Sequence, residues 1–249
     1  MDAVILAAGA GTRLRPLTLS RPKCLVPIDA DRTLLDHQIT ALAAVGVDHI
    51  RLVVGYLSQM VREHCGDGSR YGLRIGYVEK PNWETTNSIY SLFLALDDWD
   101  QAGTYLCNCD ILFDARLLQR LAASQGSAIA VDAQRDRLPG EMNVRLDEHQ
   151  RVEAISKQLD PATTQAVSAQ IVLLRNGDGQ QVAGQVRSLV EANALDTFPT
   201  AAYGPLVEDR RLTGVDMADV PWAEIDSVQE YDDAREQCAP QLLSSGNVT

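Results

Sequence analysis

Through the first half of the chain, short uninterrupted apolar runs alternate with stretches whose apolar positions recur every three to four residues. These are the patterns of buried strands and of amphipathic helices. Ala3 to Ala8 predicts a buried strand, and Leu25 to Ile28 a short extended piece bounded by two prolines. Leu34 to Val45 carries apolar residues at Leu34, Leu35, Ile39, Leu42, Ala43 and Val45, with Gly46 placed to end a helix. Ile50 to Val54 then predicts a strand, Gln59 to Cys65 a helix, Leu73 to Val78 a strand, Ser88 to Trp99 a helix and Thr104 to Cys109 a strand. Such βαβ repetition implies an α/β fold with a mostly parallel central sheet flanked by helices.

After about Ala128 the rhythm changes. Ala128 to Ala133, Met142 to Leu146, Val152 to Ile155 and Gln170 to Leu174 read as strands without long helices between them, with Asp147-Glu148-His149-Gln150 as a hairpin connection. Gly179 to Ala192 resumes a helix, Gly214 to Met217 a strand, and Ser227 to Leu243 a closing helix. The expected organisation is a single domain over 1–243 with a small strand-rich insertion at about 128–175, and a flexible tail at 244–249. In sheets of this kind ligands bind outside the carboxyl ends of the strands, so the loops that leave strands are where chemistry is expected.

Composition narrows the functional classes. The 249 residues carry 22 basic against 34 acidic side chains, a formal charge of −12, which argues against a broad phosphate-neutralising surface and hence against a nucleic-acid polymer as partner. No apolar run approaches the ~20 residues of a membrane span, so no membrane partner is expected. Met1-Asp2-Ala3 lacks a signal-peptide start, so the expected location is cytoplasmic. The five cysteines, Cys24, Cys65, Cys107, Cys109 and Cys238, show no metal-ligand spacing and read as buried free thiols.

The stretch Leu6-Ala7-Ala8-Gly9-Ala10-Gly11-Thr12-Arg13-Leu14-Arg15-Pro16 follows the first strand directly. Its glycines let backbone N–H groups turn toward an anion. Arg13, Arg15, Arg21 and Lys23 add four positive charges, and no acidic residue falls between Asp2 and Asp29. A dinucleotide fingerprint would need glycine where Leu14 stands, and the Gly-Lys-Ser/Thr of a P-loop is absent. A plain glycine turn with a solvated basic face is the remaining alternative. Lysine itself is scarce, with Lys23, Lys80 and Lys157 set against nineteen arginines.

This loop, continued by Arg21-Pro22-Lys23, resembles the signature of the nucleotidyltransferases that make nucleotide-activated sugars, polyols and amino alcohols. The resemblance extends through Asn87-Ser88-Ile89-Tyr90-Ser91-Leu92, Cys109-Asp110, Ile155-Ser156-Lys157 and Glu224-Ile225-Asp226-Ser227-Val228-Gln229-Glu230-Tyr231. It is greatest toward the bacterial CTP:phosphocholine cytidylyltransferase group and its phosphonate and polyol-phosphate relatives, and covers roughly Ala3 to Arg235. It implies a Rossmann-like nucleotidyltransferase fold and attack by an acceptor phosphate or phosphonate oxygen on the α-phosphorus of a nucleoside triphosphate, CTP preferred, releasing pyrophosphate.

Two polyanions must then meet in one pocket, so positioning and charge neutralisation carry the chemistry. The resemblance implies Mg²⁺ held by Asp110 and Asp226, although Asp226 also suits a helix N-cap. Arg13 suits the leaving pyrophosphate and Lys23 the α-phosphate. The nucleotide site implied comprises Leu6, Ala7, Ala8, Gly9, Gly11, Thr12, Arg13, Lys23 and Asp110, with Thr86, Asn87 and Ser88 at the base and Gly55 and Tyr56 as a further wall. Lys157 is assigned to the acceptor phosphate, its alternative being an exposed lysine at a strand end, and Tyr203 to the acceptor pocket. Lys80 reads as solvated.

The acceptor itself is not legible. A quaternary ammonium asks for several aromatic faces, and only 5% of the residues are aromatic. Competing readings are a sugar-1-phosphate nucleotidyltransferase using dTTP, GTP or ATP, a non-catalytic nucleotide sensor, and, more remotely, a dehydrogenase. Whether the chain forms a homodimer stays open.

Overall fold

The computed structural model describes all residues except 97, 98, 100, 101, 176 and 246–249. In chain order its elements are β1 (Asp2–Ala7), α1 (Leu34–Ala44), β2 (His49–Val54), α2 (Ser58–Cys65), β3 (Arg74–Glu79), α3 (Ser88–Leu94), β4 (Thr104–Asn108), β5 (Ile111–Phe113) and α4 (Ala115–Ala123). There follow β6 (Ala128–Asp132), β7 (Asn143–Leu146), β8 (Val152–Ser156), β9 (Ala166–Leu174), α5 (Asp178–Glu191), α6 (Gly204–Glu208), β10 (Thr213–Asp216), β11 (Trp222–Glu224), α7 (Val228–Asp233) and α8 (Ala239–Ser245).

The main sheet runs in the order β10-β6-β9-β4-β1-β2-β3. β1 pairs in parallel with both β2 and β4, while β9 lies antiparallel between β4 and β6. The chain leaves β1 toward β2 and β3 on one side and returns at β4 on the other. The strand order thus reverses at β1, and a crevice opens at the carboxyl ends of β1 and β4. From Ala3 to Ala7 β1 is an unbroken apolar run because both faces of the sheet are covered. One buried cluster joins Ile5, Leu35, Ile39, Leu42, Leu117 and Leu121 beneath α1 and α4. Another joins Val4, Leu92, Val172, Val182 and Leu206 beneath α3, α5 and α6.

Within the expected insertion, β6 and β9 lie on the main path of the sheet, and the β7–β8 hairpin with its Asp147 to Gln150 turn branches from it where β7 pairs with β9. Four elements went unread: β5, α4, α6 and β11. α4 had a legible signal, since Asp114 caps it and Leu117, Leu118 and Leu121 form its buried face. The piece at Leu25 to Ile28 is not a strand. Lys23–Leu25 forms a 3₁₀ turn, and Pro27 bridges Thr33. α3 ends at Leu94, and the rest of the helix expected to Trp99 falls partly on residues 97 and 98, outside the described residues. The closing helix runs through α7, a π-helical turn (Ala234–Cys238) and α8, so it takes in residues 244 and 245 of the expected tail; 246–249 lie outside the described residues.

All five cysteines are free and buried. No described helix is long and apolar enough to cross a membrane.

Candidate active site

Gly11 sits in the left-handed region (φ 59°), and a Cβ there would lie 2.9 Å from the Cβ of Lys23. Glycine is therefore required on two counts, conformation and space. Its carbonyl accepts from the Thr18 hydroxyl at 2.8 Å, which closes the loop. Gly55 and Tyr56, expected as a wall of the base pocket, brace this loop from behind instead. The Tyr56 N–H donates to the Ala8 carbonyl at 3.0 Å and its hydroxyl to those of Thr18 and Leu19, at 3.1 and 3.2 Å. A Cβ on Gly55 would lie 2.8 Å from the Ala8 carbonyl oxygen, so β2 packs against the loop only because that residue is glycine. The ring of Trp83 meets Tyr56 edge-on at 5.2 Å and faces the cavity in its place.

The cavity, of about 320 Å³, opens at the carboxyl ends of β1, β4 and β8. It gathers Leu6, Ala8, Gly9, Gly11, Thr12, Arg13 and Lys23 from the first loop, and Thr86, Asn87 and Ser88 from the start of α3. Asp110, Lys157 and Asp226 complete it. Ala7 is not part of this wall, since strand alternation turns it into the cluster beneath α1. Tyr203 is 4% exposed and packs in the cluster beneath α6; it borders a smaller side cavity with Asn108, Gln170 and Phe198 rather than the cleft.

The charges are tightly coupled. Lys23 Nζ donates to Asp226 Oδ1 at 2.5 Å and to Asp110 Oδ2 at 3.1 Å, and Arg13 donates to Asp226 Oδ2 at 2.6 Å. Burial works to lower the Lys23 ammonium, yet Asp110 and Asp226 outweigh it and hold the lysine charged above its usual range. Burial likewise works to raise Asp226, and Lys23, then Arg13 and Lys157, keep it below the ordinary carboxylate range. Asp226 does not cap the closing helix. Ser227 does, in a capping box with Glu230, and this leaves the Asp226 carboxylate free to face the cleft.

Two charged residues of the cleft, Glu224 and Lys80, were missed or misread. Glu224 lies one alternation before Asp226 on the β11 side, and that period of two was its signal. Burial, then the neighbouring Asp110 and Asp226, pushes its carboxyl up to about 7, while Gln170 donates to it at 2.9 Å. Lys80 is not solvated. It is buried, and its Nζ donates to the Thr86 and Asn87 carbonyls and to the Ser91 hydroxyl, which ties the end of β3 to the Asn87 cap of α3. Lys157, half-buried at the end of β8, faces the cleft with its ammonium 5.3 Å from the centre of the Phe198 ring.

Asp110, Glu224 and Asp226 offer carboxylate oxygens that all lie within 4.8 Å of one another. Asp110 Oδ1 is buried with no hydrogen-bond partner. An all-oxygen set with an unsatisfied anionic atom suits a hard divalent cation, and no soft ligand competes in it.

The sequence pattern of one family, described as nucleotidyl transferase, matches residues 2–156. A CMP-5'-(3-aminopropyl)phosphonate synthase of Streptomyces rubellomurinus is 44% identical over 129 residues, 51% of this chain and 20% of the relative. A mannose-1-phosphate guanylyltransferase of Mycobacterium tuberculosis is 37% identical over 181 residues, 71% of this chain and 49% of the relative. The chain thus spans half or less of the length of these curated relatives. Among solved structures, the CTP:phosphocholine cytidylyltransferase of Streptococcus pneumoniae superposes with a TM-score of 0.75 at 22% identity, covering 94% of this chain and 97% of the other. This is a likeness of fold.

Proposed function

We propose a reaction for this chain from its family, because the chain belongs to the nucleotidyl transferase family. The reaction is transfer of CMP from CTP to the phosphate or phosphonate oxygen of a small metabolite. The acceptor oxygen forms a bond to the α-phosphorus as the bond from that phosphorus to the pyrophosphate oxygen breaks, and pyrophosphate leaves. The observation that carries this reading is the Lys23 ammonium at the mouth of the glycine loop, held between Asp110 and Asp226 in a cleft that Arg13 and Lys157 also enter.

Each side chain has a physical task. Lys23, buried and kept charged, supplies a fixed positive point for the phosphorus in motion. Arg13 is largely exposed and reaches in from the rim, where a guanidinium fork suits the leaving pyrophosphate. Lys157 meets the acceptor anion from the opposite wall. The Thr86 to Ser88 segment, fixed by Lys80 and by the Asn87 cap, lines the base side. Asp110, Glu224 and Asp226 would hold Mg²⁺, which when bound neutralises phosphate oxygens.

The cytidylyl choice is supported by the printed activity of the Streptomyces relative. Among the described residues only two aromatic side chains line the cleft, too few to surround a quaternary-ammonium acceptor. They are Trp83 and Phe198, and Lys157 lies over the Phe198 ring. The test is pyrophosphate release with each of four nucleoside triphosphates and Mg²⁺, against phosphocholine, phosphoethanolamine, aminoalkylphosphonates, polyol phosphates and hexose-1-phosphates. CTP with a phosphonate or small phosphate is the expected pair. Turnover confined to GTP and mannose-1-phosphate, or to any other sugar phosphate, would overturn it.

A further inference from the structure

Gln38 lies on α1, 1% exposed, and takes no part in lining the cleft. Its Nε2 donates to the Asn108 carbonyl at 2.8 Å and to the Ile111 carbonyl at 2.7 Å. These two residues flank Cys109-Asp110, so one side-chain amide closes the turn that presents Asp110. Gln38 Oε1 is buried without a partner. Turning the amide over would set that oxygen against two carbonyl oxygens, so the hydrogen bonds fix which way the group points. An apolar side chain would spare the orphaned oxygen and leave both carbonyls unmet. The two donated bonds are what this position supplies.

The helix that carries Gln38 is itself anchored to the Lys23 turn. The Leu34 N–H donates to the Val26 carbonyl at 3.0 Å, and the Val26 N–H to the Lys23 carbonyl at 3.1 Å. On its other side the Asp110 turn is held by the Ile225 N–H, which donates to the Asp110 carbonyl at 2.9 Å. A continuous hydrogen-bonded path therefore runs from Lys23 through α1 and Gln38 to Asp110.

We propose that Gln38 is a positioning residue for nucleotidyl transfer, setting the Asp110 carboxylate against the Lys23 ammonium from outside the cleft. This rests on the reaction proposed above. Small displacements of a reacting constellation cost rate far more than they cost binding.

The test compares the wild type with Gln38→Met, which keeps the length and removes both donors, and with Gln38→Asn, which keeps the amide but is too short to span both carbonyls. In each, kcat is expected to fall about 10- to 100-fold with the nucleotide KM held within about threefold. Leu42→Ala, buried on the same helix, is the control; it loses stability and keeps the wild-type kcat. Mn²⁺ binding to the protein without substrates, read by electron paramagnetic resonance, is expected to weaken about tenfold in both Gln38 variants. Wild-type kcat in either folded variant overturns the inference while leaving the reaction standing. If the wild type turns over none of the substrate pairs, the reaction falls, and the Mn²⁺ comparison still decides on Gln38. Weaker or undetectable binding in the variants beside binding by the wild type supports the positioning role, and equal binding, or none by the wild type, overturns it.

Discussion

Lys80→Met isolates the energetic effect of a buried cation that lacks a countercharge. Lys80 is 3% exposed, and its ammonium has three neutral acceptors, the Thr86 and Asn87 carbonyls and the Ser91 hydroxyl, at 2.9 to 3.0 Å. No carboxylate among the described residues pairs with it, and burial pushes it down from 10.5 to about 8. The unfolded chain therefore holds this proton up to about pH 10.5, while the folded chain releases it near pH 8. In the window between them the folded state carries fewer protons, so this lysine makes stability rise with pH, by up to about 1.4 kcal/mol per unit. Integrated from pH 7 to 9.5 the gain is about 2 kcal/mol. Methionine has the length and lacks the proton, so its variant gains none of this. Buried cysteines and tyrosines oppose stability at alkaline pH equally in both proteins and cancel in the difference. Urea unfolding of wild type and variant at pH 7, 8, 9 and 9.5 is the assay. The wild-type advantage should widen by about 2 kcal/mol across the series. A difference constant to within about 0.5 kcal/mol, a quarter of that prediction, would refute the assignment of an uncompensated buried charge.

The remaining predictions separate chemistry from scaffold. Asp226→Asn keeps the shape but removes the charge shared by Lys23 and Arg13, and turnover is expected to fall about 100-fold or more with unchanged circular dichroism. Its neighbour Ser227→Ala breaks the capping box and should cost about 1 kcal/mol in urea unfolding while leaving kcat within about twofold. Gly11→Ala forces a side chain into the left-handed region against Lys23. It should cost about 1–2 kcal/mol of stability, with a kcat loss exceeding any change in nucleotide KM. Saturating CTP should raise the melting temperature: at 100 times its Kd the gain is about 2.7 kcal/mol, or about 5–10 °C for this length. A shift from GTP alone would count against the cytidylyl choice.

What could be read beforehand follows from how locally each feature is encoded. β1 and the glycine loop were legible because a strand buried on both faces is an unbroken apolar run, and because the loop concentrates glycine and arginine within a few positions. Asp110 was legible as the residue just past a strand end, where the topology puts ligands. Lys80 was misread because its sequence neighbours are polar; its burial is set by the start of α3, where it meets the Thr86 and Asn87 carbonyls and the Ser91 hydroxyl only once the chain has folded. Tyr203 was assigned to the acceptor pocket, but the side its ring faces depends on packing beneath α6, which no local spacing encodes. Gln38 belongs to the same class. An amide among apolar helix positions looks like an irregularity until the carbonyls 70 and 73 residues away are in place.

The pairing of β11 with β5 brings the end of the chain to its middle, and the Lys23–Asp226 contact closes across 203 residues. During synthesis the glycine loop, the parallel strands and Asp110 leave the ribosome long before Asp226, the second carboxylate that holds Lys23. A chain still being translated, or one interrupted before Trp222, carries the anion-attracting half of the site without Glu224 and Asp226. On the proposed reaction, the Asp226 side of the site is in place only once the segment that follows it, through Tyr231, packs against Leu14 and Val26. On that reaction, pyrophosphate release during refolding would time the docking of this segment rather than the formation of β1 and its parallel neighbours.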